Sequence, residues 1–182
     1  MRKLFGFLSA MILLSCNPYE QYSSTHLYIQ AEVQPESARI AANVQMVFVA
    51  GKEYTDSICF RLNPELKIQS MAAQVLEKYR FNENGDGKLI LYIEEQINPG
   101  ESLQVSLSYS GQLGPNEIHR LDSSLHWYPM NEDTRPCTYQ AKFALPGKWH
   151  ITDPDSGIGK HGKWLVESRD TLESLEISFA KK

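Results

Sequence analysis

The sequence predicts an all-β protein, a mostly antiparallel β-sandwich of about nine or ten short strands. Three observations predict it. Apolar residues recur with period two over most of the chain, the spacing of half-buried strands. The alternating runs are separated by Pro, Gly and Asn turns. No segment carries a strong helical period. A strand with one apolar face needs a second sheet to cover it, hence a sandwich.

Taken in order, Leu27, Ile29, Ala31 and Val33 alternate with His26, Tyr28, Gln30 and Glu32. Gln34 to Ser37 is a turn, and Ile40, Ala42, Val44, Met46 and Phe48 form a longer strand. Ile58, Phe60 and Leu62 follow, with Cys59 on the opposite face, and Asn63-Pro64 stops them. Leu66 to Met71 is a fourth strand. Residues 72–81 have helical propensity, but a preference this short yields to pairing. Lys78 to Phe81 therefore reads as strand, in a hairpin with Leu89, Leu91 and Ile93 across the turn-rich 82–87. After the turn at Asn98-Pro99-Gly100 come Leu103, Val105, Leu107 and Tyr109, then Tyr139, Ala141 and Phe143, and finally Leu175, Ile177 and Phe179. Residues 111–136 form the longest irregular stretch, of a kind that tends to be functional or mobile.

The chain has 182 residues, with 18 Lys and Arg against 22 Asp and Glu. That length suits one domain, placed at 26–182. An acidic chain with no basic run is a poor nucleic-acid binder, because phosphates need clustered cations. The amino terminus reads differently. Arg2 and Lys3 precede an apolar run, Leu4 to Leu14, too short to span a membrane. Leu13-Leu14-Ser15-Cys16 then resembles a bacterial lipobox, where the leader is cut before a cysteine whose thiol takes a diacylglycerol. This implies a signal peptide at 1–15, lipid attachment at Cys16, and a polar tether at 16–25. The partner is then a membrane, held through more than one acyl chain, and the address is the bacterial cell envelope, facing the periplasm or the cell surface. The alternative is an ordinary secretory signal with an incidental cysteine.

Several pieces fall in a recognisable order: Ala31-Glu-Val-Gln-Pro-Glu-Ser-Ala-Arg-Ile40, Phe60-Arg-Leu-Asn-Pro-Glu-Leu-Lys-Ile68, the run from Ile97-Asn-Pro-Gly-Glu to Ser-Tyr-Ser-Gly111, Trp127-Tyr128-Pro129, and Thr138-Tyr-Gln-Ala-Lys-Phe-Ala-Leu-Pro146. Together they resemble the N-terminal domain of aminopeptidase N-type zinc metallopeptidases. The resemblance covers about residues 26–180 and implies a saddle-shaped β-sandwich that packs on a catalytic domain. The family's zinc helix carries His-Glu-x-x-His, and its substrate amine sits on Gly-x-Met-Glu-Asn. None of the five histidines here precedes a glutamate, and the amine loop is missing. No catalytic residue carries over, so the expectation is a protein without enzymatic activity and without a cofactor.

Other constellations are weaker. Asn82-x-Asn84-x-Asp86-Gly87 opens like a calcium loop, but the position that needs a bidentate Glu is Ile93. His150, Asp153, Asp155 and His161 gather metal-ligating types in a short span, as do His119, Asp122 and His126. Ser156 near His161 lacks a nucleophile motif. Gly157, Gly159 and Gly162 have phosphate-loop spacing without the strand-to-helix setting. Cys59 and Cys137 are open to pairing in an oxidising compartment, though separate thiols fit as well. Trp127, Tyr128, Pro129 and Met130, with Trp149 and Trp164, either form an exposed aromatic patch for a partner or cover the open end of the core. The expected function is a non-catalytic, membrane-anchored protein- or peptide-interaction module. The alternatives are an accessory piece or remnant of a metallopeptidase, and a carbohydrate or small-ligand binder.

Overall fold

Residues 22–51, 55–83, 85–130, 137–152, 159, 162–172 and 174–182 are described by the computed structural model. Twelve strands occur among them, in three sheets. They are β1 (Tyr22–Gln34), β2 (Arg39–Ala50), β3 (Thr55–Arg61), β4 (Leu66–Ala73), β5 (Leu76–Phe81), β6 (Lys88–Ile97), β7 (Ser102–Gln112), β8 (Arg120–Leu121), β9 (Cys137–Ala144), β10 (Trp149–Ile151), β11 (Lys163–Leu172) and β12 (Ile177–Lys181). The rest of the regular structure is two single-turn 3-10 segments, Pro35–Ser37 and Ser123–Leu125.

The large sheet has the order β11-β9-β1-β2-β7-β4. β1 and β2 form a hairpin running from Gln34↔Arg39 to Tyr22↔Ala50. Pro35 starts its turn, and Ala38 closes it in the left-handed region at φ 49°, donating its N–H to the Pro35 carbonyl. β2 pairs with β7 over Arg39↔Gln112 to Val49↔Ser102. β4 completes that edge, with a bulge between Ile68 and Ser70. On the other side β1 pairs in parallel with β9, and β9 pairs antiparallel with β11. Two smaller antiparallel sheets, β3-β6-β5 and β10-β12-β8, complete the fold.

The alternation read from the sequence decides which face is buried. Leu27, Ile29, Ala31 and Val33 of β1, the even-numbered residues Ile40 to Ala50 of β2, and Leu103, Val105, Leu107 and Tyr109 of β7 all point into the core. The two small sheets cover this inner face. Ile58, Phe60, Leu89 and Leu91 from one, and Leu121, Ile151, Ile177 and Phe179 from the other, join the same apolar cluster. The rings of Phe48 and Phe60 lie 5.3 Å apart across the layers. Each such side chain contributes about 1.5–3 kcal/mol on burial.

Four features depart from the sequence reading. β11 was not anticipated, nor were the short β8 and β10. Residues 76–81 are strand throughout, longer than the segment expected from Lys78. Cys59 is buried along with Ile58 and Phe60, so β3 is covered on both faces rather than one. The stretch after Gly111 is tied down rather than loose. Leu113 donates to the Ala38 carbonyl at 2.7 Å, Ile118 to Pro35 at 2.9 Å, and Arg61 and Met130 exchange both backbone bonds at 2.7 and 2.9 Å.

Candidate functional site

The aromatic candidates lie inside the molecule. Trp127 is 0% and Tyr128 2% exposed, Pro129 is buried, and Met130 is half-buried against the core. The expectation of an exposed patch at Trp127 to Met130 is therefore corrected. Two hydrogen bonds make the segment structural. Tyr109 Oη donates to the Trp127 carbonyl at 2.7 Å, and the Leu175 N–H donates to Tyr128 Oη at 3.0 Å. Burial holds both phenols in their neutral form, pushing Tyr128 up to about 12 and Tyr109 higher still. Trp149 is buried too, while Trp164 is only half-buried.

The metal candidates do not assemble. Among the described residues no three His, Cys, Asp or Glu side chains converge. His119 pairs with Glu117 at 3.2 Å. Asp122 accepts from the Ser124 N–H at 2.9 Å and caps the second 3-10 turn, whose far end is His126. His150 lies half-buried, and Asp153, Asp155 and His161 fall outside the described residues, as do Ser156 and Gly157. In the 82–87 turn Asp86 accepts from Asn82 Nδ2 at 2.9 Å and from the Lys88 N–H at 3.1 Å. Those two bonds, both to Oδ1, lower its pKa, the backbone one most. Asn84 lies outside the described residues, and Ile93 is buried in β6. Gly162 precedes β11, a strand, so the glycine spacing has no helix to open. Cys137 is a free, buried thiol, so it does not pair with Cys59. Cys16 lies outside the described residues.

What the fold does present is an uncovered sheet face. The outer side of the six-stranded sheet holds two adjoining depressions, of about 820 and 430 Å³, which share Gln30, Asn43 and Lys142 as lining. Volumes in this range suit small-ligand sites. The pairing registers set its rows. Leu165, Lys142, Gln30, Asn43, Ser108 and Ser70 run across the strands in one. Glu167, Gln140, Tyr28, Gln45, Ser106 and Ala72 run in the next. Ser70 and Ser108 hydroxyls lie 2.7 Å apart, and Gln69 Nε2 donates to Ser110 Oγ at 2.8 Å. Tyr28 is 43% exposed, and the His26 ring meets it edge-on at a centroid distance of 4.3 Å. His26 in turn bonds Thr138, and burial lowers its pKa, favouring the neutral ring.

Comparison with known proteins follows the same lines. No family model matches the chain, and no curated protein matches it in sequence. Solved structures do match in shape. An M1 zinc metallopeptidase from Deinococcus radiodurans superposes with a TM-score of 0.68 at 14% identity, over 87% of this chain and 42% of that one. The fold is that of part of an M1 zinc metallopeptidase. Native yeast LTA4 hydrolase gives a TM-score of 0.63 at 11% identity, over 88% of this chain and 29% of that one. The chain thus spans less than half the length of these structures. The resemblance expected from the sequence is met at the level of fold.

Proposed function

We propose that this chain is a non-catalytic lipoprotein of the bacterial cell envelope, a relative of the peptidase N-terminal domain that binds rather than cleaves. The observation that carries this reading is the partial match: the fold covers 42% of a metallopeptidase, while the sequence holds neither His-Glu-x-x-His nor the amine loop. Hydrolysis by the family's route needs a metal to polarise the carbonyl and a carboxylate to activate water. The binding surface is the outer face of the six-stranded sheet, and the anchor is Cys16.

Zinc content and hydrolysis of aminoacyl and peptide reporters, measured on the full chain purified in detergent, test the first half. Metal well below one equivalent and no turnover are expected. Stoichiometric zinc, with turnover abolished in His150→Ala or His161→Ala, overturns it. Palmitate labelling tests the second half: the wild type incorporates label and Cys16→Ala does not. A disulfide-linked peptide joining Cys16 to Cys59 in the membrane-extracted protein refutes the anchor, since a thiol in a disulfide carries no lipid.

A further inference from the structure

We propose that the outer face of the six-stranded sheet binds a neutral, hydroxyl-rich glycan laid across the strands; this rests on the reading of the chain as a binding module and names its ligand class. The observation is one of charge. The chain carries 40 charged residues in 182, taking 18 Lys and Arg with 22 Asp and Glu. Yet β7 has none from Ser102 to Gln112, and β2 has none after Arg39. In the strand order they lie side by side, with β1 on one flank and the edge strand β4 on the other. Their outward side chains beyond Arg39 are uncharged: Ala41, Asn43, Gln45, Val47 and Val49 on β2, and Ser102, Gln104, Ser106, Ser108 and Ser110 on β7. A solvated strand elsewhere in the molecule looks different, since β5 exposes Glu77, Lys78 and Arg80.

Amides and hydroxyls offer donors and acceptors side by side, which matches vicinal sugar hydroxyls. The Gln30, Asn43, Gln45 and Gln104 amides make no hydrogen bond to another described side chain and are open to a ligand. The Tyr28 ring, steadied by His26, supplies an apolar plate for the C–H face of a sugar. The fixed charges of the trough are Lys142 and Lys163 against Glu32, on β9, β11 and β1, so its β2–β7–β4 side offers a ligand no charge to pair with. The two depressions draw lining residues from all six strands, and neighbouring strands are about 4.8 Å apart, so the trough runs about 24 Å across the sheet.

Affinity electrophoresis of the full chain through gels cast with a glucan, a mannan or a xylan tests this. Retardation by at least one polysaccharide is expected, unchanged from about 0.05 to about 0.5 M NaCl, because neutral recognition is not screened. Tyr28→Ala and Asn43→Ala should each weaken it about tenfold. Tyr79 is as exposed as Tyr28 but sits on β5, so Tyr79→Ala should bind as the wild type. No retardation by any of the three overturns the proposal, as does equal loss in Tyr28→Ala and Tyr79→Ala, or loss in salt. A photo-crosslinking residue at Gln45, used in intact cells, separates the two levels. A crosslinked protein without retardation refutes the glycan and leaves the binding module standing, whereas neither signal removes both.

Discussion

Tyr109 and Tyr128 bring polar atoms into the core only because each finds a backbone partner. Tyr109→Phe keeps the ring and strands the Trp127 carbonyl, so it should cost about 1–3 kcal/mol in urea unfolding. A cost near zero would mean that water reaches that carbonyl. The same burial sets a response to alkali. A folded phenol held near 12 against an ordinary value of about 10 binds its proton more tightly than the unfolded chain does. Its contribution is therefore whole below about pH 10 and is lost as the pH rises towards 12. Phenolate absorbance should then rise together with loss of circular dichroism, and Tyr128→Phe should move that alkaline midpoint upward. An unmoved midpoint contradicts the assignment. These residues were the hardest to read from the sequence. Trp127-Tyr128-Pro129-Met130 has no period, so nothing in the string separates an exposed patch from a plug. The plug becomes visible only when Tyr109 and Leu175 arrive from distant strands.

Elements were more legible, for a physical reason. Where one face is wet, alternation must be kept along the whole strand, and β1, β2 and β7 show it cleanly. β11 escaped because Leu165 puts an apolar residue on its outer face and Ser168 a polar one on its inner face before its register shift against β9. β3 misled in the opposite sense, since alternation with Cys59 suggested a wet side where there is none. Two substitutions test the packing of β7. Leu107→Asp puts an unpaired charge at a 2% exposed site, a cost of about 3–5 kcal/mol against a total of about 5–15; the soluble domain should be largely lost, and retention of its thermal transition would contradict the placement. Gly111→Ala is subtler. A Cβ there would lie 2.5 Å from the Glu65 carbonyl oxygen and 3.0 Å from Leu66 Cα. The turn entering β4 must move, so a lowered melting temperature is expected with the strand spectrum intact.

At the scale of the whole molecule, the sandwich followed from patterning but the candidate site did not. Each strand announces which residues face water, yet the neutral face depends on which strands are neighbours. β9, β1, β2, β7 and β4 lie side by side out of chain order, and no local window contains Gln140, Tyr28, Gln45 and Ser106 together. The charge triad of Glu36 with Lys148 and Lys181, each at 2.7 Å, shows the same thing at one end of the molecule. The two lysines, Lys148 first, hold the Glu36 carboxyl down to about 2. Lys148→Ala should bring the Glu36 titration, followed by NMR, back towards the ordinary carboxylate range. Stability should hardly change, because pairs this exposed contribute little.

The first strand of the chain sits in the interior of its sheet, and its parallel neighbour comes from far downstream, with His26 and Thr138 112 positions apart. Whether the chain leaves a ribosome or a translocation channel, β1 and β2 emerge before the rest, so the hairpin can close first, but the far edge of β1 stays open until β9 has followed. The growing chain therefore carries an exposed strand edge through most of its synthesis, a template for mispairing with any other extended segment. Closing so long a loop also places the molecule among slow, high-contact-order folders. Nascent chains stopped before residue 137 should be protease-sensitive and prone to aggregate, whereas chains extended past β9 and β11 should become resistant. This topology makes completion of the domain a late event.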